Sequence, residues 1–165
     1  MKQLLAALRI AVLAAIALLL IGLADHFTTW PALTATLGPT AYFFFAHPGE
    51  EWSSVRNASI GHSVAIAAGL LGLWMAGSWH TAPVFLFQAS TLPHVFAVTI
   101  AIAITLFVLD AIKVHHAPAA ATAILVASGL AEPGKLLGGL TLGLAALFLL
   151  QLGLNQVPAP KLAER

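Results

Sequence analysis

Three polar stretches interrupt an otherwise apolar chain of 165 residues: "GPTA" (38–41), "VRNASIGHS" (55–63) and "HHAPAAATA" (115–123). Gly38, Pro39 and Thr40 read as a helix that begins partway along an apolar run. Proline has no N–H, suits a first helical turn and pushes the residue before it out of helical geometry. Pro118, after His116, reads the same way. A helix start carries unpaired N–H groups and about half a positive charge, which together suit an anion. Thr40 and Thr122, close to the two starts, would add hydroxyl donors. The plainer role for both is packing, because small residues let membrane helices approach and threonine bonds its own backbone.

The second stretch puts Arg56 and Asn57 at the entrance of an apolar run. Ser59, His62 and Ser63 follow at i, i+3 and i+4, so they share one helix face. A polar, ionisable face at that depth points to a cavity or a partner. Arg56 could equally snorkel to an interface, and His62 could be a hydrogen-bonded core histidine. Asn57-Ala58-Ser59 fits a glycosylation pattern, but on the side expected to be cytoplasmic. Asp110 and Lys113 are spaced for an i, i+3 ion pair. His115-His116 has no suitable carboxylate beside it and no histidine one turn away, whereas a zinc site wants three or four ligands; no metal or cofactor is expected. No carboxylate pair, Ser-His-Asp set or phosphate-cradling glycine loop is recognisable, so the sequence does not read as an enzyme.

The elements that must position these residues follow from composition. The chain is 60% hydrophobic and 8% charged, with a mean hydropathy of +0.96; a soluble domain carries about 25% charged residues. It belongs in a lipid bilayer as an all-α, polytopic protein. The net charge is +1, which by itself says nothing about nucleic acid, but no basic cluster exists to neutralise phosphates, so nucleic acid is not expected as a partner. There is no cysteine, so disulfides and thiolate sites are excluded. The first apolar run, behind Lys2 and Arg9, has small residues at Gly22 and Ala24 that could form a signal cleavage site. In a chain membranous throughout it reads more simply as a first span.

Four runs approach the roughly 20 residues that cross a bilayer: about 4–24, 58–77, 93–112 and 136–154. Two shorter ones, 31–46 and 117–130, are expected as short crossings or re-entrant segments. If all six cross from a cytoplasmic N-terminus, Lys2, Arg9, Arg56, Lys113, Lys161 and Arg165 fall inside and only Lys135 outside. With four crossings, Arg56, Lys113 and Lys135 all move outside. The positive-inside rule favours six, and either arrangement leaves both termini inside. The 78–92 loop has no Lys or Arg and offers Trp79 and Phe85 to an interface; Trp30 and Trp52 read similarly. Gly139 and Gly143 form a GxxxG pattern for close helix contact, within one subunit or between subunits.

The two short runs resemble each other. "GPTAYFFFA" and "AATAILVA" share Thr-Ala, a greasy run and then Ala, and the step from Thr40 to Thr122 is half the length of the chain. The chain therefore reads as one transmembrane domain of two repeats, about 1–80 and 81–165. Three crossings per half would invert one repeat against the other, a plan that puts a transporter's site at the midplane between them.

"LGPTAYFFFAHPGEEWSSVRNASIGHSVAIAAGLLGL" resembles the first signature of the HPP family of small membrane proteins, and "HHAPAAATAILVASG" resembles the His-Pro-Pro run that names it. With the flanking spans the resemblance covers nearly the whole chain. Here the name-giving run reads His116-Ala117-Pro118, Ala120 replaces its glycine, and Val55 stands where a proline precedes Arg-Asn. The family is usually described with four transmembrane helices, and some members carry additional soluble nucleotide-sensing domains. Some are implicated in nitrite transport. The resemblance thus implies a small-anion transporter or channel in the cell (inner) membrane, with nitrite as a candidate substrate. Gly38, Pro39, Thr40, Arg56, Asn57, His62, His116, Pro118 and Thr122 are the expected substrate-binding residues, and histidines could couple the anion to protons. The competing expectations are a channel for a small neutral solute and a non-transporting structural or accessory protein. The small size makes a homo-oligomer plausible.

Overall fold

A computed structural model describes residues 2–80, 90–131 and 133–156. Phe85, Lys161 and Arg165 lie outside the described residues. The elements are α1 (Lys2–Thr28), α2 (Leu37–Ala46), a single 3-10 turn (Glu51–Ser53), α3 (Val55–Met75), α4 (Leu92–Ala111), α5 (Pro118–Ala127) and α6 (Lys135–Leu154). No strand occurs among the described residues. α1, α3, α4 and α6 are long and apolar enough to cross a membrane, the latter three at about 30 Å each. α2 and α5 have 10 residues each, or roughly 15 Å, about half a bilayer core. The protein is a multi-pass, all-α membrane protein. Large apolar side chains such as Leu4, Phe27, Trp74, Phe96, Phe107 and Leu149 point outward, as a lipid-facing surface requires.

Local chemistry explains the boundaries. Ser54 caps α3 by accepting from Asn57 N–H. Pro118 opens α5 at its first position, as its sequence predicts. α2 begins earlier than Pro39 predicts, at Leu37. Leu37 N–H closes a turn onto Thr34 O, and Pro39 then sits within the first turn, where a missing N–H costs nothing.

Contacts along the helices fix their directions. Leu33 lies against Gly22, while Arg9 reaches the Phe45 carbonyl. The 31–46 segment therefore runs back along α1 in a single pass and does not form a re-entrant hairpin. Gly61 meets His116 and Ala119, and Gly69 meets Val126, so α5 runs alongside α3 in the same direction. Gly143 meets Ala32 and Leu37, and Phe148 meets Phe44, so α2 runs with α6. α4 returns along α3, with Gly72 seated on Ala97.

The two halves are interleaved: each short helix packs on the third helix of the other half, α2 on α6 and α5 on α3. Exchanging the halves maps every principal helix pair onto another, α1–α2 onto α4–α5, α2–α6 onto α5–α3 and α3–α4 onto α6–α1. Register follows the same rule. The step from Thr40 to Thr122 also carries Gly61 onto Gly143, and it relates the residues they abut, Leu37 and Ala119. The GxxxG pair Gly139 and Gly143 packs inside this subunit, on the backbone of Pro31 and Ala32.

A Cβ at Gly143 would collide with the Ala32 carbonyl, whereas one at Gly153 meets nothing within 4 Å. Gly143→Val is expected to destabilise by about 1–3 kcal/mol. Gly153→Ala should be neutral or stabilise by up to about 1 kcal/mol. Thermal melts of the two purified variants check both.

Candidate functional site

The arrangement gathers four of the polar residues singled out by the sequence into one cluster, with Thr40, Thr122 and His116 around the ring of His62. His62, from α3, is buried between the halves. Its Nδ1 lies 2.8 Å from Thr122 Oγ1 on α5, and its Nε2 lies 3.1 Å from Thr40 Oγ1 on α2. His116 Nε2 is 3.3 Å from the same His62 Nε2, and His116 Nδ1 is 3.2 Å from the Trp52 carbonyl. Thr40, Thr122 and His116 are likewise buried.

Proton accounting yields one consistent pattern. A carbonyl only accepts, so Trp52 O requires a proton on His116 Nδ1, which makes His116 Nε2 an acceptor in the neutral ring. Thr40 donates its hydroxyl proton to Thr36 O at 2.8 Å, so toward His62 it can only accept. His62 Nε2 must then be the protonated nitrogen, serving Thr40 and His116. His62 Nδ1 is left with a lone pair, which the Thr122 hydroxyl fills as donor. Both rings are neutral, and every polar atom of the cluster has a partner, as a low-dielectric site demands.

The ring also borders open space. A cleft of about 150 Å³ lies between α3 and α6. Its walls are four pairs of residues, each related by the same step that takes Thr40 to Thr122: Ser59 with Thr141, His62 with Leu144, Ser63 with Ala145, and Ile66 with Phe148. The cleft therefore sits where the internal two-fold relates the halves, near mid-helix in both walls. His62 is the single ionisable residue in these pairs. A second cavity, about 250 Å³, opens between α4 and α5 and reaches His116 from the side of Asp110 and His115. Asp110 pairs with Lys113 at 3.7 Å, both exposed. The histidine pair thus stands between a mouth and the two-fold cleft.

The remaining expected residues are placed differently. Arg56 is exposed on the first turn of α3, outside the cluster. Gly38 is half-buried and Pro39 exposed, away from the ring. Pro118 is buried at the start of α5. The helix-start amides are largely engaged by local turns: Ala119 donates to His116 O, Ala120 to Ala117 O, and Thr40 to Thr36 O. The hydroxyls of Thr40 and Thr122 serve His62. Asn57 is buried, and neither atom of its side-chain amide has a partner among the described residues. It lies one turn before Gly61 on the face that meets the His116 arm.

Two contributors escape sequence reasoning. The Trp52 carbonyl is backbone and carries no residue signature. Thr141 is reachable only by carrying the polar face of α3 forward by one repeat, which takes Ser59 to Thr141.

Residues 1–161 match the family description "HPP, transmembrane region". The chain belongs to the HPP family. No curated relative matches it, and no solved structure does. The HPP signatures of this chain are the segments that build the cluster: "GPTA" supplies Thr40, "RNASIGH" supplies His62, and "HHAPAAATA" supplies His116 and Thr122. In the altered His116-Ala117-Pro118 run, Ala117 is exposed, and the proline that opens α5 is retained.

An unpartnered buried amide costs about 1–3 kcal/mol. Asn57→Leu should therefore raise the melting temperature of the purified protein in detergent. Thr40→Val and Thr122→Val keep shape but each remove one partner of His62. Each should cost about 1–3 kcal/mol and leave the protein folded, read by melting in detergent beside the wild type.

Proposed function

We propose that this HPP-family protein carries a small monovalent anion, such as nitrite, across the membrane together with a proton. The single observation that carries the reading is His62: an ionisable ring, bonded to both halves, that borders the cleft on the internal two-fold. Inverted-repeat transporters place their sites at such a position and alternate access around it. An ionisable group inside a membrane segment marks an ion or proton route. Of the side chains, imidazole is the one whose unperturbed proton affinity lies nearest neutrality, and a proton moved with an anion transfers no net charge. Nitrite as the substrate rests on the family resemblance.

A second reading is favoured by one observation: no Lys, Arg, Asp or Glu lines the cleft among the described residues. That suits a channel for a small neutral solute. We place the protein in the cell (inner) membrane with cytoplasmic termini, following the distribution of Lys and Arg. We propose no enzymatic role and no cofactor. A homo-oligomer remains part of the proposal, because the cleft opens on the outer surface of the bundle, where Ser63 and Thr141 are exposed.

The test is flux into proteoliposomes loaded in turn with nitrite, nitrate, formate, chloride and urea, at two pH values and clamped potential. Saturable nitrite flux that rises as the pH on the donor side falls is the expected result. Urea flux without anion flux would establish the neutral channel. No flux of any solute from folded protein would sink the transport reading in favour of an accessory role. Thr40→Val and Thr122→Val should each lower anion flux at least tenfold. His62→Ala should flatten its pH dependence; an unchanged profile removes His62 from proton coupling.

A further inference from the structure

The two threonines that hold His62 occupy equivalent positions in the two repeats, yet they hold it differently. Thr40 turns its hydroxyl proton onto the carbonyl four residues back, Thr36 O, and accepts from the ring. Thr122 donates to Nδ1. The position equivalent to Thr36 is Pro118, four residues before Thr122, and its carbonyl is the acceptor to which a helical threonine turns. One rotation of the Thr122 hydroxyl would make it a copy of Thr40. It would then stop donating to His62 Nδ1 and become an acceptor for a proton on that nitrogen.

We propose that His62 Nδ1 is the proton-binding atom of a paired proton–anion site, with the Thr122 hydroxyl as its switch and the two-fold cleft as the seat of the anion. This deepens the transport reading above and rests on it for the anion. The step balances simply. One proton enters from solvent and forms an N–H bond at Nδ1, and no other covalent bond changes. Thr122 swings its O–H to Pro118 O and accepts from Nδ1. His62 Nε2 continues to donate to Thr40 and His116, and His116 Nδ1 continues to donate to Trp52 O. The charged ring is as fully bonded as the neutral one.

The cluster takes only one proton, because His116 Nε2 is the acceptor facing His62 at 3.3 Å. A second proton would set two cations and two donors against each other. The positive ring then borders the cleft, where the hydroxyls of Ser59 and Ser63 are donors suited to a small oxyanion, while Thr141 gives its hydroxyl proton to Gly138 O at 2.8 Å. Other ionisable groups near the cluster are turned elsewhere. Asp110 pairs with Lys113, His115 lines the mouth, and His47 stacks near Trp52 at 4.6 Å. Arg56 is exposed, and Arg9 serves the Phe45 carbonyl. Among the described residues, α5 and α6 bring no ionisable side chain to the ring.

The test is nitrogen NMR of the histidine rings, with labelled full-length protein in lipid nanodiscs titrated in pH with and without sodium nitrite. The expected resting state has the proton on Nε2 of His62 and on Nδ1 of His116. Acid should add one proton, at His62 Nδ1, and nitrite should move that midpoint to higher pH. Thr122→Val should weaken the uptake at least tenfold, a midpoint at least one pH unit lower, and Thr122→Ser should restore it. Val matches Thr in shape, so the comparison does not depend on a cavity. Uptake on His116, uptake on both rings, a wild-type titration in Thr122→Val, or a midpoint indifferent to nitrite would each overturn the proposal. If the spectra behave as expected while proteoliposomes show no flux, transport fails and the paired site stands. Flux without these spectral changes leaves transport standing and removes the site.

Discussion

An imidazole inside a lipid bilayer must satisfy two nitrogens at once, on opposite edges of one small ring. The partners have to come from opposite sides, and here they come from opposite halves of the chain. Thr122 reaches the ring because α5 lies against α3, the third helix of the other half, while Thr40 comes from α2 in the same half as His62. Much of the remaining architecture serves that approach. Glycines at 61, 69 and 143 bring the short helices close enough for side chains to touch their backbones. The 10-residue lengths of α2 and α5 place threonines near the helix starts at the depth of His62. Part of the irregular backbone before α2, at Pro31 and Ala32, is packed against Gly139 and Gly143 rather than lipid.

The fold was legible to the extent that it is written in apolar run lengths and in charge. Apolar runs long enough to cross a bilayer mark the four long helices to within a few positions. The asymmetry of Lys and Arg favoured six passes, and the single-pass direction of the 31–46 segment along α1 agrees with that count. The start of α2 was less legible. Pro39 advertises a first turn, but a turn can open at Leu37 and still hold Pro39 within it, and that choice is made by Thr34 and its carbonyl.

At the site, the chemistry-bearing residues were legible because they interrupt apolar sequence: His62, Thr40, Thr122 and His116 all stand out on that ground, and the structure draws them together. Their roles were not legible. The hydroxyls look like anion donors at helix starts until a ring is seen between them. Arg56 looks central in sequence, yet a first-turn arginine is long enough to leave the protein interior, and it does. The cleft was invisible because it is assembled from two helices in opposite halves of the chain. Three of its four pairs no longer match in type: histidine faces leucine, serine alanine, isoleucine phenylalanine. Repeats diverge fastest by eye at the surface they share, since each side then contributes different chemistry to one space.

That divergence has a bearing on direction. Two identical inverted halves could trade shapes at no net free-energy difference, and a carrier built from them would be equally at rest facing either compartment. Here the ring exists on one half only, with Leu144 as its counterpart. Its companion His116 is reached by a mouth beside Asp110, whereas the equivalent of His116 in the first repeat is Thr34. A conformer with the shapes exchanged would have to house an imidazole where a leucine packs now. Under the proposed transport, the two orientations would be unequal in energy, and one side would be favoured at rest by the pairs that differ between the repeats, His62 with Leu144 foremost.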